Sequence, residues 1–546
     1  MNILIAGAWP YANGSLHIGH IASLLPGDIL ARYYRAKGDQ VFYVSGSDCY
    51  GTPVSIRSKQ EGKSPEEISD SYHEEFDWVF SKLGFSYDRY GKTSEDIHKN
   101  FVQKFHRELY EHGYIEEREV PQAFCSHCNT AVADRYVLGI CPHCSTPTRA
   151  DQCDHCQSVL EPEVLLEPTC SVCQHPINFR TTKHLFIKIS AFAQEIKHLV
   201  NSHPNWRKNA TAFTNRYINE GLRDRAITRS LDWGIDVPKE GYEDKKIYIW
   251  AENVLGYLSQ SYELCKQRGV DFHELWSDDS RHYYVHGKDN IPFHTIILPA
   301  LLLAHGEGYH LPDDIISSEY VTLEGAKIST SKNWAIWGKD LLDTYDPDSI
   351  RYFFTANAPE KRDIDFSWRE FFNNHNGELL GAYGNFVNRN LAFIQKYFDG
   401  KIPAGTLNFK IQTDIKNLYT TVGEKIEAGE LKEALEEIFA FIRFSNRYFD
   451  SEQPWKTKVE QPEQCKDTLF TCVQIIANLS VLLQPFLPNS SEKLINWFGL
   501  SAEWHPQYVV GSYQLPETSI LFERLDPSII ETERAKLPQL QSASNY

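Results

Sequence analysis

The sequence predicts an α/β protein: a parallel sheet split by a cysteine-rich insertion, then an all-helical segment. Three observations lead there. Short apolar runs alternate with helical patterns over residues 1–120 and again over 179–318. Eight of the 12 cysteines fall between residues 125 and 173. From Trp368 onward the apolar spacing is helical only.

Composition sets the limits. A chain of 546 residues exceeds one ordinary core, so several domains are expected. A hydrophobic share of 42% suits a globular protein. The longest apolar run, residues 296–304, includes Pro299 and is too short to span a membrane. The N-terminus lacks the basic region of a signal peptide, so a cytoplasmic location is expected. A net charge of −18 argues against nonspecific coating of nucleic acid. It leaves room for a local basic surface; Arg216, Arg223, Arg225, Arg229, Lys245 and Lys246 form either one such cluster or a solvated face. Methionine occurs once, at position 1, so Leu and Ile must fill the gaps that Met often fills.

The first strand is Ile3-Leu-Ile-Ala6, and a helical pattern follows from Ile21 to Ala36. Between them stands Pro10-Tyr-Ala-Asn-Gly-Ser-Leu-His17-Ile-Gly-His20. His17 and His20, at i and i+3, are expected on one face of the first helical turn. Free N–H groups and the positive end of the dipole suit a phosphate there. Gly19 is expected to let a ligand approach the backbone. Gln40 to Ser45 reads as the second strand, and Ser64-Pro-Glu-Glu67 as a capping box with proline at the first helical position.

After the insertion, strands are expected at Lys246 to Trp250 and at His282 to Val285, with a helix beginning near Ile291. Ligands of such sheets bind at the C-terminal strand ends, where this reading places His17, Asp48, Trp250 and Gly287. Glu319 to Leu323 reads as a strand, followed by a turn at Gly325 and the loop Lys327-Ile-Ser-Thr-Ser331 with Lys332 and Asn333. A lysine and several hydroxyls on a loop make a phosphate clamp or a polar surface loop. Helices are expected at 370–397, 410–428, 431–449, 466–483 and 490–498, and a polar tail at 532–546.

The clustered cysteines form four Cys-x-x-Cys pairs: Cys125/Cys128, Cys141/Cys144, Cys153/Cys156 and Cys170/Cys173. Each pair presents two thiolates from a tight turn, and two pairs complete a tetrahedral zinc site at Zn–S distances of about 2.3 Å. A disulfide framework is the alternative, which a cytosolic setting disfavours. Spacing does not fix the pairing. Nearness in sequence joins Cys141/Cys144 with Cys153/Cys156, leaving Cys125/Cys128 and Cys170/Cys173 for a second ion. All-thiolate sites with no open position are structural. Cys49, Cys265, Cys465 and Cys472 are scattered and read as packing residues.

The His17–His20 segment and the Lys327–Ser331 loop together resemble the "HIGH" and "KMSKS" signatures of class I aminoacyl-tRNA synthetases. From Ile3 to about Ser490 the chain resembles the methionyl-tRNA synthetase family, through Pro10-Tyr-Ala-Asn-Gly, Gly51-Thr-Pro53, Gly287-Lys-Asp289 and Glu452-Gln-Pro-Trp455. The resemblance implies a Rossmann-like parallel-sheet catalytic domain (1–120 and 179–318) split by a zinc-knuckle insertion (121–178). It also implies a loop and linker (319–367), an anticodon-binding helical bundle (368–531) and a tail (532–546). The implied activity is a ligase reaction needed for protein synthesis. ATP and L-methionine give methionyl-adenylate and pyrophosphate, and methionine then moves to the 3′ end of initiator and elongator tRNA(Met).

The same resemblance assigns His17, Gly19, His20, Lys327, Ser329, Thr330 and Ser331 to catalysis, with Pro10, Gly287 and Asp289 joining them around ATP and Mg²⁺. It assigns Ala8, Trp9, Tyr11, Asp48, Trp250, Tyr257 and His294 to methionine, and Asn385, Arg389 and Trp455 to the anticodon. Two zinc ions are implied, as is a monomer, since no C-terminal dimerisation module is visible. The chain departs from the family at four places. Thr330 stands where a second lysine is usual, with Lys332 as a candidate substitute. Trp250-Ala-Glu-Asn-Val-Leu-Gly-Tyr257 differs from Trp-x-Asp-Ala-Pro-x-Gly-Tyr, Trp9 is larger than the usual leucine, and Asn290 replaces an apolar residue. A reshaped amino-acid pocket is expected. The alternatives are a zinc-containing RNA-binding paralogue without activation activity, and a class I synthetase for another apolar amino acid. The missing editing insertion and the N-terminal motif oppose the latter.

Overall fold

The structure, a computed structural model, describes residues 1–132, 136–150, 153, 155–156, 160 and 162–538. Strand β1 (Asn2–Gly7) leads through the Pro10 segment into helix α1 (Ile18–Lys37), then β2 (Gln40–Ser47) and β3 (Arg89–Lys92). Strands Ser280–Gly287 and Asp314–Ser318 complete a five-stranded parallel sheet. The order is Asp314–Ser318, Ser280–Gly287, β1, β2, β3. The winding direction reverses between β1 and Ser280–Gly287, which opens a crevice at their C-terminal ends.

Both faces of this sheet are covered. Ile3, Ile5, Tyr43, Tyr283 and Val285 join one core, and Leu4, Ala6, Phe42, Val44 and Tyr284 join the other. The alternation follows from side chains pointing to opposite faces of a strand. The first core runs on into the helical bundle, so sheet and bundle share it.

Lys246 to Trp250 is not a sheet strand. Only Lys246–Ile247 is extended, paired antiparallel with Thr228–Arg229, and Ile249–Ala251 is a 3-10 turn. Trp250 therefore does not sit at a parallel-strand end. The expected strand Glu319–Leu323 is also divided: Asp314–Ser318 ends the sheet, and Val321–Leu323 begins a separate hairpin with Ala326–Lys327. Its turn residues, Glu324 and Gly325, have φ of 48° and 80°, as a two-residue hairpin turn requires.

The insertion rests on an antiparallel ribbon, Ile115–Cys125 against Asn178–Ile187, which crosses both boundaries expected at 121 and 178. The basic cluster does not form one surface. Lys245 is buried, donating to Thr182 and Ser230 at 2.7 Å, and Lys246 pairs with Asp236.

The bundle comprises the nearly continuous helix 368–397 and helices Phe409–Glu427, Leu431–Glu452, Pro454–Glu460, Pro462–Leu482 and Pro488–Phe498. Helix Pro462–Leu482 is longer than the run at 296–304 and meets membrane length, yet 83% of its apolar window is buried in the bundle. Two of the helices without a counterpart in the sequence reading brace distant elements. Pro347–Ala356 carries the fully buried Arg351, which donates to Asp28 at 2.7 Å and to the carbonyls of Leu83, Pro485 and Phe486 at 2.8–3.2 Å. Ile529–Lys536 occupies the start of the expected polar tail. Arg534 forks onto Glu324 at 2.7 and 3.0 Å, and the Tyr345 hydroxyl donates to Glu533 at 3.0 Å, so this helix braces the hairpin. The rest of that tail, 539–546, lies outside the described residues.

Candidate active site

The sheet crevice is lined first by the turn after β1. His17 is the N-cap of α1 rather than a residue of its first turn, and its extended backbone turns the chain into the helix. Its Nδ1 accepts from Gly19 N–H at 3.1 Å, and His20 Nδ1 accepts from His17 N–H at 3.1 Å. Two histidines thus make a reciprocal capping box, a task usually left to Ser or Thr with Glu. An imidazole that accepts at Nδ1 carries its proton at Nε2 when neutral. Burial holds His17 at a pKa of about 4 and His20 well below the usual histidine value, with the His17 charge also disfavouring protonation of His20. Both rings are therefore neutral donors through Nε2–H.

The helix start itself is not open to a ligand. Ile18 N–H donates to Ile336 O at 3.1 Å, Gly19 N–H to His17 Nδ1, and His20 N–H to His17 O at 2.9 Å. Backbone pairing and the two rings use the N–H groups that were expected to be free. Gly19 has a different role as well: a Cβ there would stand 2.9 Å from His17 Cε1, so the glycine makes room for the imidazole and not for a ligand.

The second loop is tied to the first by backbone. After Lys327–Asn333 the chain runs through Trp334 to Trp337, which bridges His17. Gly338 N–H donates to Leu16 O at 2.7 Å, and Trp334 Nε1–H to Leu323 O at 3.2 Å. Both ends of the loop are thereby anchored. Between them, Lys327, Thr330, Ser331 and Lys332 are exposed, and Thr330–Lys332 forms a 3-10 turn. Lys327, Ser329 and Lys332 line one cavity of about 430 Å³. Ser329 and Ser331 hydroxyls are 3.3 Å apart.

Asp48 follows β2 directly. Its N–H donates to Pro10 O and its carbonyl accepts from Ala12 N–H, both at 2.8 Å, which locks the Pro10 turn to β2. Its buried carboxyl accepts from Asn253 Nδ2 at 2.6 Å and Tyr50 N–H at 3.3 Å. Around it, Ala8 and Trp9 are buried, Tyr11 meets Trp250 edge-on, and Trp250 stacks on Phe293 at 3.4 Å. The Tyr257 hydroxyl bonds His294 Nε2 at 2.8 Å, and His294 Nδ1–H donates to Asn290 O. Asn290 thus contributes its backbone. The indole of Trp9 fits because residues 46 and 256 are glycines; a Cβ at either would lie 2.5–2.6 Å from it.

Gly287 ends its strand with open space before it, since an added Cβ would meet only Ser23 at 4.0 Å. Asp289 accepts a hydrogen bond from the Tyr320 hydroxyl. Lys288 bonds Glu319 and Asp363 and lies 3.8 Å over the Tyr320 ring.

Comparison with known proteins shows the family. A family model described as tRNA synthetases class I (M) matches residues 3–391, and one described as the anticodon binding domain of methionyl tRNA ligase matches 402–519. The chain belongs to the methionyl family of class I tRNA synthetases. It is 53% identical to a methionine–tRNA ligase of Bacillus cereus over 98% of this chain and 99% of the relative. It is 52% identical to methionine–tRNA ligase 1 of Alkaliphilus oremlandii over 98% and 100%. The fold matches a Mycobacterium tuberculosis methionyl-tRNA synthetase solved with methionyl-adenylate, at TM-score 0.80 and 21% identity, over 96% and 100% of the two chains.

In this family member the eight cysteines gather into two tetrads, Cys125, Cys128, Cys170, Cys173 and Cys141, Cys144, Cys153, Cys156. Sulfurs lie 3.4 Å apart between Cys125 and Cys173, 3.7 Å between Cys141 and Cys156, and 3.5 Å between Cys144 and Cys153. A tetrahedral zinc with Zn–S of about 2.3 Å sets sulfurs about 3.8 Å apart, so both donor sets fit. Donation from the Cys156 backbone N–H leads the groups that bring the Cys153 thiol down to about 5, which favours the thiolate a metal needs. His127, Cys173 and His175 also cluster, but the two imidazoles are stacked at 11°, so their lone pairs do not converge.

In the bundle, Arg389 pairs with Asp450 at 2.6 Å and lies over Phe449. Trp455 packs obliquely on the same Phe449, with ring centroids 6.0 Å apart, and Asn385 is exposed one helical turn before Arg389. The expected trio therefore shares one face.

Sequence reasoning missed Phe293, Asn253, Tyr320 and His98. Phe293 lay inside the Gly287–His294 stretch, and Asn253 was visible as a departure from the family pattern. Tyr320 and His98 carried no signal in the sequence, because their partners come from distant elements.

Proposed function

We propose that the chain is an ATP-dependent methionine–tRNA ligase. It activates L-methionine to methionyl-adenylate with release of pyrophosphate, then passes methionine to the 3′ end of initiator and elongator tRNA(Met). The observation that carries this is the backbone pairing of the His17 turn with the segment that closes the Lys327 loop, in a chain 53% identical to a methionine–tRNA ligase.

The methionine carboxylate attacks the α-phosphate, a step that needs alignment and charge neutralisation rather than covalent help. His17 and His20 donate Nε2–H to phosphate oxygens without adding charge. Lys327 supplies the cation, Ser329 and Ser331 add hydroxyl donors, and Lys332 takes the role of the lysine replaced by Thr330, since it lines the same cavity. Mg²⁺ bound with ATP would neutralise part of the phosphate charge. Asp289 exchanges its Tyr320 hydrogen bond for the ribose hydroxyls, and Gly287 leaves space for the nucleotide. Asp48 receives the substrate ammonium, while Trp9, Tyr11, Trp250, Tyr257 and His294 surround the thioether; aromatic edges suit sulfur.

The two cysteine tetrads would each hold one structural zinc through four thiolates. Asn385, Arg389 and Trp455 read the anticodon by stacking and hydrogen bonding to splayed bases. Amino-acid-dependent ATP–pyrophosphate exchange across a panel of amino acids tests the reading. Exchange with methionine alone is expected. Exchange with another amino acid, or with none, overturns it.

A further inference from the structure

Three buried carboxyl and imidazole groups meet behind the amino-acid pocket, and the chemistry above uses only Asp48. Glu252 and His98 are 1% and 0% exposed, with Glu252 Oε2 2.8 Å from His98 Nε2. His98 Nδ1 lies 2.9 Å from Ser259 Oγ, which donates to Gly256 O at 3.1 Å. A carbonyl only accepts, so the Ser259 hydrogen is committed to it. Ser259 Oγ must then accept from His98 Nδ1–H. Two arrangements satisfy that chain: a neutral imidazole accepting from protonated Glu252, or an imidazolium donating to a carboxylate. They differ by one proton shifted along one bond, and both are neutral overall.

The surroundings select between them. Glu252 Oε1 is buried without a hydrogen-bond partner, which costs a carboxylate far more than the carbonyl oxygen of an acid. Asn253, the next residue, donates to Asp48, and the Asp48 charge acts on Glu252, which disfavours a second anion there. Burial pushes both carboxyls well above the usual range, but Asp48 accepts from Asn253 Nδ2 and Tyr50 N–H, which favour its carboxylate, whereas Glu252 has no such donor; burial also brings His98 down to about 3. The Tyr50 phenol, also facing Glu252, is held neutral by burial. His98 in turn stands 6.0 Å from the Trp9 ring, which also lies against Gly46 and Gly256.

We propose that Glu252 is a positioning residue of the amino-acid site: held as the neutral acid by His98, it leaves Asp48 as the single buried anion that meets the substrate ammonium, and it braces the Trp9 wall through the His98 ring. The proposal rests on the ligase reading. It is also specific to this chain's Glu-Asn pair, which replaces the family's usual Asp-Ala.

Infrared difference spectra of the intact protein, unaltered minus Glu252→Gln at neutral pH, are expected to contain a carboxylic-acid carbonyl band that shifts in D2O. Carboxylate bands in its place overturn the proposal. In methionine-dependent exchange, Glu252→Gln keeps the methionine KM within about twofold, whereas Glu252→Ala raises it about tenfold with the ATP KM unchanged. Gln as damaging as Ala overturns the proposal too. Thermal unfolding separates a misfolded Ala variant from a misplaced Asp48, and the Gln variant and infrared band decide if Ala does not fold. Absence of methionine-dependent exchange in the unaltered chain refutes the ligase reading instead, and the band still decides the protonation of Glu252.

Discussion

Replacing His17 by asparagine separates the two jobs of one imidazole. Nδ1 caps the helix by accepting from Gly19 N–H at 3.1 Å, and Nε2–H points away from that bond as the donor for substrate. Asparagine is a good N-cap, so His17→Asn changes stability by less than about 0.5 kcal/mol, whereas His17→Ala loses about 1 kcal/mol. Neither residue carries a donor to the place of Nε2. Removing one preorganised donor from a developing charge costs about 2.7–4 kcal/mol, or roughly 10²–10³ in kcat. The pH dependence follows from the same geometry. Burial lowers the folded-state pKa of His17 from 6.5 to about 4, so the neutral donor is fully present above pH 6.5 and is lost only as pH falls through about 4. Activation should therefore show no rising limb from this group between about pH 5.5 and 8. The assay is methionine-dependent ATP–pyrophosphate exchange over that range, beside thermal unfolding of all three proteins. An Asn variant with unaltered kcat refutes the reasoning, as does a rising limb near the ordinary histidine pKa that disappears with His17.

Lys332→Ala should lower kcat for activation about tenfold while Lys332→Arg keeps most of it, measured by the same exchange; no loss in the Ala variant means that Lys332 does not replace the missing lysine. Denaturation in a chromogenic chelator should release two zinc ions per chain and Cys153→Ser only one, and a disulfide-linked form releasing none would contradict the metal assignment. Arg351→Met removes a buried cation that bonds Asp28 and three carbonyls, so unfolding should become easier by about 3–5 kcal/mol; a neutral substitution would mean that Arg32 and Ser86 satisfy Asp28 unaided.

Much of the site was legible because local chemistry announced it. Four Cys-x-x-Cys pairs point to metal knuckles whatever surrounds them, and the inner two pairs gather into one tetrad and the outer two into the other. β1 and the Lys327 loop stood out as short local patterns. What the sequence concealed depends on contacts between distant segments. The first-turn N–H groups of α1 looked free until Ile336, more than three hundred residues along the chain from Ile18, supplied an acceptor. Lys246 to Trp250 looked like a sheet strand because a β-like apolar run does not reveal its partner, and a two-residue bridge proved enough for it. Helix Ile529–Lys536 was masked by its polarity; Arg534 and Glu533 hold it in place by meeting Glu324 and the Tyr345 hydroxyl, which lie far back in the chain. Its apolar contacts, Ile529 and Ile530, sit at one end, and periodicity does not register so short an apolar face.

The central claim is that one strand-to-helix turn and one distant loop together activate methionine for transfer to tRNA. Charging of a tRNA(Met) transcript by the intact chain, with ATP and radiolabelled methionine, tests it most directly. The account predicts acid-precipitable methionine on a transcript with the CAU anticodon, and its loss when Lys327 or His20 is replaced by alanine. Charging that survives both replacements, or no charging by the unaltered chain, would contradict it.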